Sequence, residues 1–445
     1  MIQAGFARVD ITPPLGTPIS GYFTARYAKD VRDPLQVNAL ALGNGTDTLL
    51  ILAIDIVAMA QHYADALRAQ IAERTGVPAD HILLCCLHQH TAICLGGRDI
   101  FFPVKDEIYL NLFCRKMADA AQMALDDRSE SRLFTAEGES VEEIAFVRRY
   151  VMADGKIQTN PNTEKHGTPV RRCDESDNTV RLIRFKREGK KGIAYVNFST
   201  HPDVIGGSRF SADWPGFVRR FVEGDNPDTH CLCVTGFQGD SNHVNFFKPT
   251  SEERFPHGKG YEHSRYMGRV IADTVKKIWD LGTEHTDDRV FGAVQTVYNK
   301  TNTAGEEYYG EAVQYVKDFE AGTPQKTAHI ADVATAYRLL DLKKAPIYQP
   351  VAVTVAGIGD ILFVGLGGEP FTAYTHTAHA LAKGKMVFCS CCTNGYQGYL
   401  PHARAFEEGG YEVSNTFFTP GLEEQCAAAM QDMLENFDHI KEKSL

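Results

Sequence analysis

The feature that most restricts the fold of this chain is an order of elements that recurs three times along its 445 residues. Each copy has two apolar runs joined by a tight turn, then a stretch with helical spacing, then another apolar run. In the first copy the turn contains Asn44-Gly45, which is a strong hairpin signal between two apolar runs. Its helical stretch, from Gln61 to Glu73, stops before Gly76 and Pro78. The pattern predicts three hairpin–helix–strand units, and therefore a mixed α/β fold whose mixed β-sheets are flanked by helices.

The second and third copies follow the same order, although their sequence identity to the first is low. Their first run, second run, helix and strand are 180–185, 193–198, 214–224 and 231–234, then 351–355, 361–366, 374–381 and 386–389. No linker rich in proline or serine divides the chain, so we predict one large domain, 1–445, with insertions at about 141–173 and 301–342. The second insertion is expected to be helical and to cap the functional site or an interface. A closing amphipathic helix is predicted from Leu422 to Glu442.

Side chains that can bind a metal follow strands in all three units. His88 and His90 come directly after the last strand of the first unit, and residues i and i+2 of a strand face the same side, so their imidazoles are expected to point together. His201 follows the second strand of the second unit, Glu369 follows the equivalent strand of the third, and Tyr399 follows its last strand. If the three units pack around one centre, His88, His201, Glu369 and Tyr399 are expected to meet there.

Two imidazoles and one carboxylate, completed by a water or a phenolate, form a known catalytic zinc arrangement. Each residue also has a purely structural interpretation. His88, His90 and His201 can be hydrogen-bonded histidines at strand ends, Glu369 can be a turn residue, and Tyr399 can be a packing residue. The residues alone leave both interpretations open.

The composition excludes several classes of function. A net charge of −11 disfavours nucleic acids and anionic membrane surfaces as partners. No apolar segment approaches the roughly 18 residues of a transmembrane helix, and no secretory signal pattern is visible at the N-terminus. The 11 cysteines, mostly in apolar runs, indicate buried free thiols in a reducing compartment. We therefore expect a cytoplasmic protein that acts on a small molecule. The sequence leaves open whether it forms a homo-oligomer.

Several short motifs occur in a fixed order as far as about Val413. They are Ala4-Gly5 through Asp10-Ile11-Thr12-Pro13, Leu87-His88-Gln89-His90-Thr91, His201, Gln238-Gly239-Asp240, Gly368-Glu369-Pro370-Phe371, Asn394-Gly395-Tyr396-Gln397-Gly398-Tyr399 and Gly410-Tyr411-Glu412. Together they resemble the ordered motifs of the catalytic domain of the neutral/alkaline (non-lysosomal) ceramidase superfamily. Several motifs in the right order are far more specific than any one of them.

The resemblance implies a zinc-dependent amidohydrolase. It implies that zinc is held by His88, His201, Glu369 and Tyr399. His90 would lie behind the ligands or contact the substrate, and it is a candidate to assist proton transfer. Tyr411 would donate a hydrogen bond to the developing oxyanion. The implied reaction is attack of a metal-activated water on an amide (C–N) bond.

The chain also departs from that family. Ser241 is out of register with the family's serine, and we expect the neighbouring His243 to lie on the surface. The family's C-terminal immunoglobulin-like domain and secretion signal have no counterpart here. A small soluble amide, lactam, lactone or sugar-derived compound is therefore expected as the substrate, rather than membrane ceramide.

Three alternatives remain at this stage. One is a zinc-dependent lactonase or esterase on the same fold, and another is a non-catalytic ligand-binding relative. The third is a serine hydrolase, which would need a histidine within hydrogen-bond reach of Ser241 or Ser199, and no G-x-S-x-G elbow supports it.

Overall fold

The structure is a computed structural model that describes residues 1–98, 101–325 and 327–443. The described strands are β1 (Gln3–Asp10), β2 (Pro18–Ile19), β3 (Arg26–Tyr27), β4 (Asp30–Val31), β5 (Gln36–Gly43), β6 (Thr48–Ile54), β7 (Ala58–Met59), β8 (Ile82–Cys86), β9 (Cys94–Leu95), β10 (Ser129–Glu139), β11 (Phe146–Val147), β12 (Arg149–Val151), β13 (Ile157–Thr159), β14 (Arg171–Arg172), β15 (Thr179–Arg187), β16 (Gly192–Phe198), β17 (Arg209–Phe210), β18 (Thr229–Thr235), β19 (Ser241–Asn242), β20 (Thr283–His285), β21 (Val290–Lys300), β22 (Tyr348–Ile358), β23 (Ile361–Leu366), β24 (Glu369–Pro370), β25 (Met386–Ser390) and β26 (Tyr399–Leu400). The described α-helices are α1 (Gln61–Thr75), α2 (Glu107–Asp126), α3 (Thr163–His166), α4 (Asp213–Asp225), α5 (Ser251–Arg254), α6 (Tyr261–Ile278), α7 (Tyr309–Glu320), α8 (Val333–Leu342), α9 (Ala373–Leu381), α10 (Ala403–Glu408), α11 (Tyr411–Asn415) and α12 (Leu422–Lys443).

All three predicted hairpin–helix–strand units are present. In the first, β5 and β6 are antiparallel and β8 then pairs with β6 in parallel, with α1 between β6 and β8. The second repeats this with β15, β16, α4 and β18, and the third with β22, β23, α9 and β25. The Asn44 side chain accepts hydrogen bonds from the backbone N–H groups of Thr46 and Asp47, which explains the first hairpin turn. Helix α1 ends at Thr75 because Gly76, at a φ of 75°, takes the left-handed cap position.

The units build two sheets that pack face to face. A nine-stranded sheet has the order β18-β16-β15-β10-β1-β5-β6-β8 with β20 added beside β10, and a four-stranded sheet has the order β21-β22-β23-β25. Alternate residues of β6 face opposite sides of the sheet. Ile51 joins Phe363 and Phe388 in the core between the two sheets, whereas Leu52 packs toward Leu67 of α1.

Helices cover both outer faces of this pair of sheets. Helices α1 and α2 share one core with the β5–β6 end of the large sheet, and α4 and α6 share another with its β16–β18 end. Helices α9 and α12 pack on the four-stranded sheet. The fold is therefore the expected mixed α/β arrangement, built as helix, sheet, sheet and helix layers. No helix in the described ranges is long and apolar enough to cross a membrane.

The carboxyl ends of the three parallel strands meet at one place. The Cys391 N–H donates to the carbonyl of Thr235, the last residue of β18, and the Cys86 N–H donates to the carbonyl of Cys392. The Asn394 side chain accepts a hydrogen bond from the Leu84 N–H in β8. The segment after β25 thus joins both sheets at their strand exits, which is the position where α/β folds form their ligand crevices.

The two predicted insertions form the surroundings of that place. The first contains the small sheet β13-β12-β14. The second contains α7 and α8, which have a small core of their own that includes Val316 and Leu339. Residues of both segments line the same cavity, as described below. Helix α8 of the second insertion supplies Ala334 and Asp341 to the cavity wall.

Candidate metal centre

His88 and His90 do lie together, but not for the reason predicted. Strand β8 ends at Cys86, so the alternation of side chains along a strand cannot orient two histidines beyond its end. Instead, His88 has a φ of 68°, in the left-handed region that β-carbon-bearing residues rarely adopt. The turn that results brings the two imidazole centroids to 5.0 Å from each other. The strand interpretation was wrong, and a strained turn replaces it.

Glu369 links the histidines of the first two units. Its Oε2 lies 3.4 Å from Nε2 of His88 and 3.1 Å from Nε2 of His201. The exposed fractions of these side chains are 3% for His88, 1% for His201 and 2% for Glu369. An ionised carboxylate buried this deeply needs a compensating charge or strong hydrogen-bond donors.

The backbone orients both imidazoles. Nδ1 of His88 lies 2.8 Å from the Val57 carbonyl oxygen, and Nδ1 of His201 lies 3.0 Å from that of Gln238. Because a carbonyl can only accept, each Nδ1 carries a proton, so the neutral form of each ring, which is the form that binds a metal, has its lone pair on Nε2. In that form both Nε2 lone pairs point toward Glu369. Metal-binding histidines are commonly oriented in this way, by an acceptor that holds the other ring nitrogen.

The donor set fits a zinc ion. One ligand atom from each of His88, His90 and His201 lies within 4.8 Å of the others. Nε2 of His201 and Oε2 of Glu369 are buried and have no hydrogen-bond partner in the described part of the chain. Imidazole nitrogens and one carboxylate oxygen are the ligands of many catalytic zinc sites.

The local electrostatics keep the carboxylate ionised. Burial alone would raise the pKa of Glu369, but His88 and His201 hold it well below its usual range. Burial lowers the pKa of His88, whereas Glu369 more than compensates and raises it to about 9. Burial and the two neighbouring imidazoles lower the pKa of His90 well below its usual value. His90 is therefore neutral near pH 7.

Two tyrosines of one motif lie beside Glu369. Tyr399 is the partner of Glu369 in the parallel β24–β26 ladder, and its side chain lines the cavity. Tyr396, which sequence reasoning did not single out, donates a hydrogen bond of 2.7 Å from its hydroxyl to Oε1 of Glu369. The only sequence signal for Tyr396 was its place in the same motif, three residues before Tyr399.

Tyr411 is the first residue of α11, and it also lines the cavity. Its ring centroid lies 5.9 Å from that of Tyr399. The next residue, Glu412, is fully buried and accepts hydrogen bonds of 2.7 Å from Nε of Arg148 and from the Thr159 hydroxyl. Arg148, which also lies 5.4 Å from the Tyr399 ring centroid, was missed because nothing in the sequence around it marks a site.

His90 has a second set of neighbours on its other side. Its Nδ1 lies 3.5 Å from Oδ1 of Asp203, and the same carboxylate oxygen accepts a short hydrogen bond from the Tyr22 hydroxyl. Burial raises the pKa of Asp203 to about 6. A Cβ atom at Gly21, whose φ is 104°, would lie 2.8 Å from the His90 ring, so glycine is required there. Neither Asp203 nor Tyr22 was predicted, because Tyr22 reaches His90 from the β2–β3 loop and Asp203 from the separate loop between β16 and β17.

These residues lie on a cavity of about 960 Å³. The proposed site residues on its wall are His88, His90, Glu369, Tyr399 and Tyr411. His201 lies behind them, in contact with Glu369. The structure therefore brings together all six residues that the sequence suggested.

Serine nucleophiles receive no support from the structure. The Ser241 hydroxyl donates to the carbonyl of Ser199, and the Ser199 hydroxyl donates to Asp177. Neither hydroxyl contacts a histidine nitrogen among the described residues. His243, expected on the surface, is half-buried and packs against His263 at a centroid distance of 5.4 Å, because the loop after β19 turns inward.

Comparison with known proteins bears on the fold. No family model matches the chain, and no curated protein matches it. The chain is similar to the structure of neutral ceramidase from Pseudomonas aeruginosa, with a TM-score of 0.69 and 14% identity over 97% of this chain and 74% of that one. A second structure, described as ceramidase complexed with C2, matches with the same TM-score, identity and coverage.

The layered sheets and the histidine–carboxylate cluster define a mixed α/β protein with a candidate metal centre at its strand exits. Its fold is that of neutral ceramidase, as the resemblance between the motifs implied.

Proposed function

We propose that this chain is a zinc-dependent hydrolase that cleaves an amide bond in a small soluble substrate. One observation carries the proposal: Oε2 of Glu369 lies 3.4 Å from Nε2 of His88 and 3.1 Å from Nε2 of His201, beside a cavity of about 960 Å³. The likeness in fold to neutral ceramidases supports it.

The proposed zinc ligands are His88, His201, Glu369 and Tyr399. Zinc held by these residues would polarise the scissile carbonyl and lower the pKa of a water molecule to about 7. The two backbone carbonyls that accept from Nδ1 of His88 and His201 keep the rings fixed. The Tyr396 hydroxyl holds the other oxygen of Glu369, so one carboxylate oxygen stays directed at the imidazoles.

Tyr411 and Arg148 are proposed to stabilise negative charge on the substrate oxygen. The phenol of Tyr411 keeps its proton, because burial raises its pKa, and it can donate a hydrogen bond. Arg148 stays charged because Tyr399, Glu412 and Glu369 outweigh the burial that lowers its pKa. Its ion pair with Glu412 fixes the start of α11, so Tyr411 is positioned before the substrate arrives.

His90 is proposed to take a proton from the attacking water and to pass it to the leaving amine. Its neutral ring can accept a proton, and the Asp203 carboxylate, 3.5 Å from Nδ1, would stabilise the imidazolium. The Tyr22 hydroxyl and the Arg26 contact to the His90 carbonyl, at 2.8 Å, fix this arrangement.

The same groups would also act on an ester or a lactone, because the oxyanion and the leaving group occupy the same positions. This alternative differs from the amidase only in the bond that is cleaved. A non-catalytic relative would have no use for Tyr411 and Arg148 on the wall beside the metal-binding residues.

All eleven cysteines are free, and ten of them are buried. We propose a reducing compartment, the cytoplasm, because thiols that stay unpaired are typical of it.

The test is metal analysis of the purified chain together with a substrate panel. We expect about one zinc per chain, loss of zinc and of amide hydrolysis on dialysis against a chelator, and recovery of both on readdition. The panel contains small N-acyl compounds, the matching esters, and lactones. A protein that hydrolyses amides equally well after complete removal of metal would overturn the proposal.

A further inference from the structure

The wall of the cavity has an unusual composition for a site that binds a long acyl chain. Among its described residues there is no leucine, isoleucine or methionine, and the only branched aliphatic side chain is Val57. Cavities that hold drug-sized apolar ligands are lined mainly by aliphatic side chains and aromatic rings. Here the apolar part of the wall consists chiefly of phenylalanine and tyrosine rings.

The charged side chains of the wall balance each other. Apart from Glu369, three are cationic and three are anionic: Arg98, Arg148, Lys344, Asp65, Asp203 and Asp341. Five amide side chains accompany them: Gln61, Asn160, Gln349, Gln397 and Asn415. An anionic substrate would meet the carboxylates, and a cationic one would meet the guanidinium groups. A hydroxyl group both donates and accepts, so a polyhydroxylated substrate can pair with all of them.

Flat aromatic faces lie beside this polar wall. The ring centroids of Phe23 and Phe101 are 5.8 Å from each other. The Arg98 guanidinium lies 5.5 Å from the Phe101 centroid and 5.3 Å from that of Phe417, and its Nε lies 2.5 Å from Oδ2 of Asp341. Asp341 belongs to α8, so this ion pair ties the cap to the wall. The arrangement offers rings for the C–H faces of a sugar and charged groups for its hydroxyls.

Some polar atoms of the wall residues have no partner within the described part of the chain. Outside the histidine–carboxylate cluster they are Oε1 of Gln61, Oδ1 of Asn415 and Nη2 of Arg98. Two of these atoms accept hydrogen bonds and one donates. A buried polar atom without a partner destabilises the protein, so a ligand that forms a hydrogen bond with it is favoured.

We propose that the substrate is an N-acylated amino sugar, or a closely similar polyhydroxylated amine, that carries a short acyl group. This inference rests on the proposed function and specifies the substrate of the same site. The amide would lie at the metal centre, with its oxygen toward Tyr411, and the hydroxylated ring would extend toward Gln61, Arg98 and Asn415.

Three amides test this inference with the zinc-loaded chain. N-acetylglucosamine is the probe, N-acetylcyclohexylamine has a similar ring without hydroxyls, and N-octanoylglucosamine has a longer acyl group. We expect kcat/KM to be at least about tenfold higher for N-acetylglucosamine than for either of the others, because a site built to bind hydroxyls rejects an analogue without them. Equal or faster hydrolysis of the cyclohexyl or the octanoyl compound would overturn the inference.

A matched pair of variants tests whether the sugar ring binds beside Gln61. Gln61→Leu should lower the ratio of kcat/KM between N-acetylglucosamine and N-acetylcyclohexylamine by about fivefold or more, since it removes an amide with an unpartnered oxygen. Gln431→Leu, on the exposed face of α12, should leave that ratio unchanged. An unchanged ratio in Gln61→Leu would refute the place assigned to the sugar ring.

Binding measured without turnover separates the two proposals. Saturation-transfer NMR reports whether N-acetylglucosamine and N-acetylcyclohexylamine contact the protein. If the sugar binds selectively but no amide is cleaved, the proposed function fails and the inference on ligand class stands. If other amides are cleaved and the sugar does not bind, the inference fails and the hydrolase stands.

Discussion

Oε2 of Glu369, in the third unit of the fold, lies 3.1 Å from Nε2 of His201, in the second. If Glu369 is a metal ligand, Glu369→Gln should lower the zinc affinity at least about tenfold, because a neutral amide oxygen is a weaker ligand than a carboxylate. Zinc content after dialysis against a zinc buffer measures the effect. Glu252→Gln, at an exposed position, is the control. Full zinc occupancy in Glu369→Gln would remove Glu369 from the ligand set.

The two tyrosines beside Glu369 should differ in effect. Tyr396→Phe removes one hydrogen bond to Oε1 of Glu369, whereas Tyr399→Phe removes the proposed fourth ligand. Loss of a residue that only orients a ligand typically costs ten- to a hundredfold in metal affinity, and loss of a ligand costs more. Competition with a chromophoric chelator gives both affinities. A smaller loss for Tyr399→Phe than for Tyr396→Phe would exchange their assigned roles.

Asp203→Asn should slow the reaction without releasing zinc. The substitution keeps the size of the side chain but removes the charge that is 3.5 Å from Nδ1 of His90. We expect kcat to fall about tenfold or more and zinc content to stay the same, with KM changed much less. Tyr22→Phe, which removes the other partner of Asp203, should show a weaker form of the same change. Loss of zinc in Asp203→Asn would indicate that Asp203 supports the metal instead.

The hairpins were predictable because their signals are local. Asn44-Gly45 sets the first turn through hydrogen bonds within four residues, and the apolar runs beside it form strands. Strand order and layering could not be derived in this way, because they depend on which apolar faces bury each other.

The site residues that could be predicted were those that belong to recognisable sequence motifs. His88, His201 and Glu369 come together as expected, but the turn that places the His88 imidazole requires a φ of 68° that no sequence pattern signals. Asp203, Tyr22 and Arg148 were missed because each reaches the site from a loop or an insertion. His243 was misplaced for a related reason: its surroundings come from α6 and the loop before it, more than ten residues away.

The ion pair between Arg148 and Glu412 should contribute strongly to stability. Nε of Arg148 lies 2.7 Å from Oε1 of Glu412, and both side chains are buried. Removing one partner leaves a buried charge, so Glu412→Gln should lower the free energy of unfolding by about 3–5 kcal/mol in urea titrations. The exposed pair of Arg132 and Glu284 provides the control, and Glu284→Gln should leave the unfolding curve unchanged. Equal curves for the two variants would contradict the structure.

Stability should fall on mild acidification because of buried neutral histidines. Burial lowers the pKa of His263 to about 4, and burial with the neighbouring His263 lowers that of His243 to about 3. An unfolded histidine titrates near pH 6.5, so between about pH 4 and 6.5 the unfolded chain binds more protons than the folded one. Each such histidine therefore removes about 2 kcal/mol of stability between pH 7 and pH 5.

His263→Gln should make the free energy of unfolding less dependent on pH in that window. Urea titrations at pH 7 and pH 5 measure the difference for the variant and the parent chain. His62→Gln, on an exposed side chain, controls for the loss of an imidazole. An undiminished difference in His263→Gln would show that other groups cause the acid sensitivity.

Each of the three repeats of the fold contributes a proposed zinc ligand: His88 from the first, His201 from the second and Glu369 from the third. During synthesis, a chain that has emerged only through its second repeat can offer two imidazoles but no carboxylate. Firm capture of an ion must then wait until the last third of the polypeptide has docked. Tight zinc binding would therefore require all three repeats to be folded, and early folding intermediates would bind the ion only weakly.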